Sequence, residues 1–183
     1  MYDVEIADSQ NHVVLAAERI RDVVERTLAD EQVAAARISV ALIDNNAIHE
    51  INRQFLNHDD PTDVISFLLD SKYSDGTADA DSIGPQVTRR GRGKYIDGEV
   101  VISGEAAAQR AREFGWSSAD ETVLYLVHGL LHLAGYDDCS DNERRIMRSR
   151  EREILAFWNL VPCYTESGGG PSSASRLKSS IQE

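Results

Sequence analysis

The sequence predicts an α+β fold, in which a small, mostly mixed four-stranded sheet packs with about five helices. Three of the four strands can be placed along the chain. Short runs of aliphatic and β-branched residues alternate with longer segments in which apolar residues recur at helical spacing. The chain has 183 residues, enough for one domain with a sizeable core, and 42% hydrophobic with 27% charged residues is typical of a soluble globular protein. No stretch approaches the roughly 20 apolar residues that span a membrane.

The first part of the chain is expected to form two helices and two strands. Apolar residues recur at helical spacing over 12–29 and predict an amphipathic helix. Residues 37–43 predict a strand, which ends at a turn and helix cap formed by residues 44–46. A short helix over 47–55 and a second strand over 64–69 follow.

The second part is expected to form one more strand and three helices. Residues 99–103 predict the strand, and the alanine-rich segment 104–114 predicts the helix after it. Ser117 or Ser118 is expected to cap the next helix, because acidic residues follow in its first turn. A last helix is predicted over 141–158.

Two segments have the composition of surface structure. Residues 71–95 are rich in Asp, Ser, Gly and Arg without periodicity, and they predict a surface loop. The Gly- and Ser-rich segment after Pro162 predicts a flexible tail. We therefore expect a single domain over residues 1–163 and a disordered tail over 164–183.

The most informative segment runs from His128 to Asp138 and reads HGLLHLAGYDD. His128 and His132 are four residues apart, so they lie on one face of a helix and can bind one divalent ion. Gly135 suits the end of that helix, because it adopts a positive φ and lets the chain turn back toward the histidines. Asp138 can then be a third ligand, and an open fourth position is typical of a catalytic zinc site. The segment predicts a hydrolytic metal site.

Alternatives remain at this site. Asp137, Cys139 and Asp141 are also close enough in sequence to be the third ligand in place of Asp138. A histidine in an apolar helix can be an ordinary core residue, but burial of two on one face without a shared role is costly. The spacing also fits metalloproteases with a His-Glu-x-x-His helix, yet Gly129 stands at the position of the general base. A zinc-dependent peptidase is therefore the weaker hypothesis.

The segment 128–138 resembles the His-Gly-x-Leu-His-Leu-x-Gly-Tyr-Asp-His motif of the YbeY family of zinc-dependent endoribonucleases. Residues 51–55 and 60–67 resemble that family's Leu-Asn-x-x-Tyr-Arg and Asp-x-Pro-Thr-Asp-Val-Leu-Ser-Phe blocks, and residues 98–102 resemble its Gly-Asp-Ile-x-Ile strand. The blocks occur in family order. The resemblance implies a central motif helix on a small mixed sheet and one Zn²⁺ per chain.

The function implied by the resemblance is single-strand-specific, metal-dependent RNA cleavage in 16S rRNA 3′-end maturation and ribosome quality control. Cleavage would use zinc-activated water or metal stabilisation of the phosphodiester. The implied partners are single-stranded RNA, precursor ribosomal RNA, and the small ribosomal subunit with its proteins or assembly factors, with no membrane and no DNA. An alternative is a ribosome-assembly binding module with a structural zinc site.

Three positions depart from the family pattern. The family usually has His where Asp138 stands, and Asp where Glu99 stands. Leu56 replaces an Arg, so if that Arg holds substrate phosphate, Arg53 is the nearest candidate to replace it. His58, in the family-like loop, is a candidate general acid or base. The candidate catalytic residues are therefore the three predicted ligands with Arg53 and His58.

The charge of the chain opposes an RNA substrate, since a net charge of −12 repels a phosphate backbone. Two basic segments offset it locally. Residues 89–94 are interpreted as a mobile loop that could clamp an RNA strand. The arginines of residues 144–152 are interpreted as a solvated helix face with partners such as Glu151 and Glu153.

The expected location is the cytoplasm. Only two cysteines occur, Cys139 and Cys163, which argues against a disulfide scaffold. The first residues lack the basic start and apolar core of a secretory signal.

Overall fold

Five helices lie around one mixed sheet in the computed structural model, which describes residues 1–56, 59, 62–73, 90–164 and 176–178. The strands are β1 (Tyr2–Asp8), β2 (Ala35–Ile43), β3 (Val64–Tyr73), β4 (Lys94–Ser103) and β5 (Arg176–Lys178). The helices are α1 (Ala17–Asp30), α2 (Asn45–Ile51), α3 (Gly104–Phe114), α4 (Ser118–Ala134) and α5 (Asp141–Leu155). A π-helical turn, Asn52–Leu56, follows α2, and a short 3-10 turn, Ala156–Trp158, follows α5.

The sheet has the strand order β1-β2-β4-β3-β5. β1 and β4 both run parallel to β2, whereas β3 runs antiparallel to β4. The first four strands form the expected four-stranded mixed sheet, and the three-residue β5 adds to its edge beside β3. The α+β prediction is confirmed.

The two faces of the sheet bury two separate sets of side chains. On β2, alternate residues such as Ile38 and Val40 enter the main core, which also holds apolar residues of α1, α3, α4 and α5. The opposite face is covered by a smaller cluster in which Ile48 of α2 contacts Ile65 and Val101. The larger cluster determines where α4 lies.

Helix α4 is the central helix, as expected, since it contacts α1, α3, α5, β3 and β4, and its residues from Glu121 to Ala134 are all buried. Two glycines allow it to lie close to the sheet. A Cβ at Gly129 would come 2.6 Å from Val100 Cγ1, and a Cβ at Gly98 would come 3.0 Å from Leu133. The Ser66 hydroxyl also donates a hydrogen bond of 3.1 Å to the Gly129 carbonyl. This close contact fixes the face that α4 turns away from the sheet.

The start of the first helix was predicted wrongly. Helix α1 begins at Ala17 rather than at residue 12. The Gln10 side chain accepts hydrogen bonds from the backbone N–H groups of His12 and Val13 and donates to the Val13 carbonyl, at 2.7–2.9 Å. These bonds hold the preceding segment outside the helix despite its helical periodicity.

The extent of the strands was also predicted incompletely. Strand β1 was missed, although its apolar residues alternate with exposed ones, the pattern of a half-buried edge strand. Strands β3 and β4 extend to Tyr73 and back to Lys94, so the predicted loop over 71–95 is too long at both ends. Lys94 is buried, and its ammonium lies 5.2 Å from the centre of the Tyr73 ring. A cross-strand contact of this kind stabilises strand pairing that composition alone does not reveal.

The remaining helices agree closely with expectation. Helix α3 spans the predicted residues, the Ser117 hydroxyl caps α4, and α5 begins at Asp141 after a capping box formed by Ser140 and Glu143. Within the described residues, no helix is long and apolar enough to cross a membrane. The predicted tail lies outside the described residues except for Tyr164 and β5, and its disorder stays a prediction.

Candidate metal centre

The two histidines of α4 and Asp138 converge in the protein interior. His128 and His132 are 2% and 1% exposed, and Asp138 is 8% exposed. The Nε2 atoms of the two histidines lie 3.0 Å apart, and His132 Nε2 lies 3.9 Å from Asp138 Oδ1. One ligand atom from each of the three residues lies within 4.8 Å of the others. The structure therefore brings together the three residues that the motif predicts as metal ligands.

The turn after α4 places Asp138 beside the histidines. Gly135 ends the helix with a φ of +109°, and its N–H and that of Tyr136 bond back to carbonyls of the last helical turn. The Tyr136 hydroxyl donates to Glu31 at 3.1 Å, and the Arg90 guanidinium lies 3.8 Å from the centre of the Tyr136 ring. The turn is thus anchored to Glu31, the residue after α1, and to the residues before β4.

Each of the two histidines has a hydrogen-bond acceptor at its Nδ1. His128 Nδ1 lies 2.6 Å from Glu151 Oε1, and His132 Nδ1 lies 3.1 Å from the Tyr136 carbonyl oxygen. Because a carbonyl and a carboxylate oxygen accept hydrogen bonds, both Nδ1 atoms must carry a proton. In the neutral rings the Nε2 lone pairs then face each other, and either a metal ion bound to both or a proton shared between them relieves this contact. The donor set fits a metal ion, with carboxylate and carbonyl partners behind the histidines.

The electrostatics of the cluster also favour a cation. Burial opposes the charged form of His128, but the hydrogen bond and charge of Glu151, with the charges of Asp138 and Asp63, outweigh burial and raise its pKa. Burial raises the pKa of Asp138, and the charge of His128 lowers it by a smaller amount. Buried carboxylates around two imidazoles form a negative site that a divalent ion would neutralise.

The three alternative ligands are placed differently from Asp138. Asp137 Oδ1 accepts the backbone N–H groups of Asp138 and Cys139, at 2.8 and 3.3 Å. The Asp141 side chain is 93% exposed and pairs with Arg144 at 2.8 Å. Cys139 is exposed, and its hydrogen bond to Asp137 raises the pKa of its thiol to about 11, which disfavours the thiolate that binds metals. Among these four candidates, Asp138 is the residue that groups with both histidines in the described part of the chain.

Helix α5 supplies a buried partner that the sequence interpretation missed. Glu151 is 1% exposed and contacts His128, so its assignment to a solvated helix face was wrong. The burial of Glu151 could have been recognised from its spacing, because Met147, Glu151 and Ile154 form one buried stripe of α5. Glu153 does pair with an arginine as expected, at 2.7 Å from Arg150.

Arg150 links this helix to the turn that carries Asp138. Its Nε donates to Glu31 Oε1 at 2.6 Å, and another nitrogen pairs with Asp30. Glu31 is the carboxylate that also accepts the Tyr136 hydroxyl. Two neighbouring residues of α5 thus support the site: Glu151 contacts His128, and Arg150 contacts the glutamate that accepts from Tyr136.

The other predicted site residues lie apart from this cluster or outside the described residues. Arg53 is exposed on the π-helical turn and donates to Glu50 at 2.5 Å rather than to a residue of the histidine cluster. The backbone of Leu56 belongs to the same turn. His58 lies outside the described residues. Glu99 pairs with Phe67 in the sheet, and burial raises the pKa of its carboxyl.

The described part of the basic segment before β4 makes contacts within the fold, and its role as an RNA clamp stays a prediction. Arg90 stacks on Tyr136, Arg92 donates to Gln32 at 2.6 Å, and Lys94 is buried within β4. These cations are therefore held by contacts within the fold. Arg89 lies outside the described residues.

The geometry of Gly129 also bears on the peptidase hypothesis. This position faces the sheet, where an added Cβ would come 2.6 Å from Val100 and 3.0 Å from Ser66. A glutamate side chain has no room there. The general base of a His-Glu-x-x-His protease therefore has no counterpart at this position.

Comparisons with known proteins place this chain in a family. The fold and the cluster define a protein that can hold a metal ion at a buried His-His-Asp group. The family model described as Endoribonuclease YbeY matches residues 4–159, so this chain belongs to the endoribonuclease YbeY family.

Several relatives show how far the similarity extends. Endoribonuclease YbeY of Clostridium botulinum (strain Hall) is 37% identical over 163 residues, which cover 85% of this chain and 97% of that protein. Endoribonuclease YbeY of Carboxydothermus hydrogenoformans is 40% identical over 131 residues, which cover 72% and 78%. A solution structure from Thermotoga maritima aligns with a TM-score of 0.49 and 23% identity, covering 86% of this chain and 91% of that one.

Proposed function

We propose that this chain is a zinc-dependent endoribonuclease that cleaves single-stranded RNA during maturation of the 16S rRNA 3′ end and ribosome quality control. The observation that carries the proposal is the convergence of His128, His132 and Asp138, with two Nε2 atoms 3.0 Å apart in the interior. Membership of the endoribonuclease YbeY family supports an RNA phosphodiester as the substrate.

The donor set supports zinc as the metal. Two imidazole nitrogens and one carboxylate oxygen suit zinc, and three protein ligands leave a position for water or substrate. When bound, the ion supplies Lewis acidity, which polarises phosphoryl oxygens and lowers the pKa of water toward about 7. One ion per chain is proposed, held by His128, His132 and Asp138.

The chain's own residues prepare this site. Glu151 and the Tyr136 carbonyl hold the protons on the two Nδ1 atoms, so each Nε2 keeps its lone pair toward the cluster. Asp138 brings one negative charge where a third histidine would bring none. A water molecule at this site is therefore expected to be less acidic than at a three-histidine site.

Substrate binding is proposed to depend on Arg53 and on delivery of the RNA in an assembly. Arg53 is exposed on the π-helical turn, and its ion pair with an exposed glutamate is weak enough to yield to a phosphate. His58 stays a candidate acid or base. With a net charge of −12, affinity for free RNA is expected to be low, so the small ribosomal subunit or its assembly factors would present the RNA in the cytoplasm.

The test is the variant His132→Ala, with His12→Ala as the matched control. His12 is exposed and lies outside the cluster. Purified wild type is expected to retain about one zinc per chain after dialysis and to cleave single-stranded RNA in a chelator-sensitive way. His132→Ala is expected to lose both properties and to keep the wild-type circular dichroism spectrum, because removal of one of three ligands destroys the site.

Two outcomes would contradict the proposal. Full cleavage by folded His132→Ala would remove the metal centre from the reaction. RNA binding without turnover by the zinc-loaded wild type would favour the ribosome-assembly binding module with a structural zinc.

A further inference from the structure

Glu151 has a second partner in the segment that follows α5. The Tyr164 hydroxyl donates to Glu151 Oε2 at 2.5 Å, while Glu151 Oε1 accepts the Nδ1 proton of His128 at 2.6 Å. The carboxylate therefore joins one tyrosine and one ligand histidine, using one oxygen for each. A carboxylate held at both oxygens cannot rotate without breaking a charge-assisted hydrogen bond.

The Tyr164 ring is itself fixed in place. The guanidinium groups of Arg148 and Arg152 each lie 4.8 Å from the ring centre, one helical turn apart on α5. Burial and the negative charge of Glu151 raise the pKa of the Tyr164 hydroxyl, so it remains protonated and can only donate to this carboxylate. The ring position and the proton direction are both determined by α5.

We infer that Tyr164 is a positioning residue of the metal centre: it holds Glu151 in the orientation that fixes the His128 ring with Nε2 toward the metal. This inference rests on the proposed function, because the orientation of the His128 ring affects the site only if a metal binds there. Partners behind metal ligands set ring orientation and tautomer, and they contribute measurably to metal affinity.

The position of Tyr164 in the chain makes this contact distinctive. The match to the family model ends at residue 159, and Tyr164 lies beyond it. Helix α5 and its 3-10 turn end at Trp158, so the segment from Asn159 folds back to bring Tyr164 alongside α5. A residue outside the matched region thus completes the support of a ligand within it.

The test compares zinc affinities of full-length variants by competition with a chromophoric chelator. Tyr164→Phe removes the hydroxyl and keeps the ring, and it is expected to weaken zinc binding roughly 3- to 10-fold. Glu151→Gln is expected to weaken it about 10- to 100-fold. Tyr2→Phe is the matched control, since the Tyr2 hydroxyl donates to the Val33 carbonyl at 2.8 Å on the edge strand, and zinc affinity should not change.

A double variant separates positioning from general stability. Glu151→Ala removes the carboxylate through which the Tyr164 hydroxyl acts on His128. Tyr164→Phe should therefore have little further effect on zinc affinity in the Glu151→Ala background. A tyrosine that only stabilises the fold would reduce affinity by the same factor in both backgrounds, and that result would overturn the inference.

A second measurement does not depend on zinc. Nitrogen-15 NMR of the metal-free protein is expected to show a strongly hydrogen-bonded His128 Nδ1 proton, which weakens in Tyr164→Phe and is unchanged in Tyr2→Phe. An unchanged signal in Tyr164→Phe would also overturn the inference. Failure of the wild type to bind zinc would contradict the proposed function alone, and the NMR result would then decide whether Tyr164 positions His128.

Discussion

The absence of a side chain at Gly129 matters as much to this site as the side chains beside it. Gly129 follows the candidate ligand His128 directly, yet it faces the sheet, with its carbonyl hydrogen-bonded to Ser66. The helix can therefore turn its histidines away from the sheet while its backbone lies against Val100. A glycine in a helix interior normally costs about 1 kcal/mol relative to alanine, so packing must compensate for it here.

Gly129→Ala is expected to destabilise the protein by about 1–3 kcal/mol, measured by urea unfolding of the zinc-free protein. The added Cβ would come 2.6 Å from Val100 Cγ1, and this overlap outweighs the gain in helix propensity. Combination with Val100→Ala supplies the control, because the smaller residue opens the space. The double variant should lose less stability than the sum of the two single variants, and strict additivity would show that the two positions do not compete for this space.

The end of α4 connects helix geometry to ligand geometry. Gly135 adopts a φ of +109°, and the turn it starts carries both Asp138 and the Tyr136 carbonyl that accepts the His132 proton. The backbone conformation of Gly135 thus places the candidate ligand Asp138 and determines which ring nitrogen of His132 carries the proton. Gly115 ends α3 in a similar left-handed conformation, with a φ of +70°, and nothing lies within 4 Å of its added Cβ.

Gly135→Ala and Gly115→Ala are expected to separate these two roles of glycine. Both should destabilise the fold by about 1–2 kcal/mol, because a Cβ disfavours positive φ. Only Gly135→Ala should also weaken zinc binding, since relaxation of its turn moves Asp138 and the Tyr136 carbonyl. Zinc competition and urea unfolding on both variants check this, and equal zinc affinities would show that the turn tolerates the change.

The elements also show what local sequence can and cannot predict. The His128–His132 spacing, the turn at Gly135 and the helix starts at Ser117 and Asp141 could be predicted, because each depends on residues close in sequence. The start of α1 was missed for another reason, because the apolar period of residues 12–16 favours a helix that the nearby Gln10 side chain prevents. Where a residue is set by a neighbour distant in sequence, the local pattern is silent.

The same distinction explains the partners of the metal site that sequence analysis missed. Glu151 reads as an ion-pair residue among arginines, and its burial follows only from the packing of α5 beside α4. Tyr164 lies next to a Gly- and Ser-rich segment, so nothing in its surroundings indicates a contact with Glu151. The grouping of the candidate ligands could be predicted from one helix and its turn, but the residues that contact them come from other parts of the chain.

A buried carboxyl at the start of α4 affects the stability of the entire fold. Burial raises the pKa of Glu121 from 4.5 to about 7, with Asp63 and Glu113 adding to the rise and Tyr125 and Arg110 opposing it. The folded state therefore binds this proton more tightly than the unfolded chain does. The contribution of Glu121 to stability is present below pH 4.5 and is lost as the pH rises to about 7.

Glu121→Gln is expected to remove this pH dependence, because glutamine stays neutral. The difference in unfolding free energy between the variant and wild type should shift in favour of the variant by on the order of 2 kcal/mol from pH 4.5 to pH 8. Urea unfolding at several pH values in the presence of chelator measures it, and subtraction of the two curves cancels the other titrating groups. Parallel curves would mean that the pKa of Glu121 is the same in the folded protein as in the unfolded chain.

The order of the strands has a consequence for how the chain folds during synthesis. Strand β2 ends at Ile43, but its second neighbour, β4, does not begin until Lys94. Until β4 leaves the ribosome, one edge of β2 has unpaired N–H and C=O groups and can pair with another chain. Contacts so distant in sequence also form slowly, because a long loop must close first. This nascent chain is therefore expected to need protection from aggregation until β4 completes the middle of the sheet.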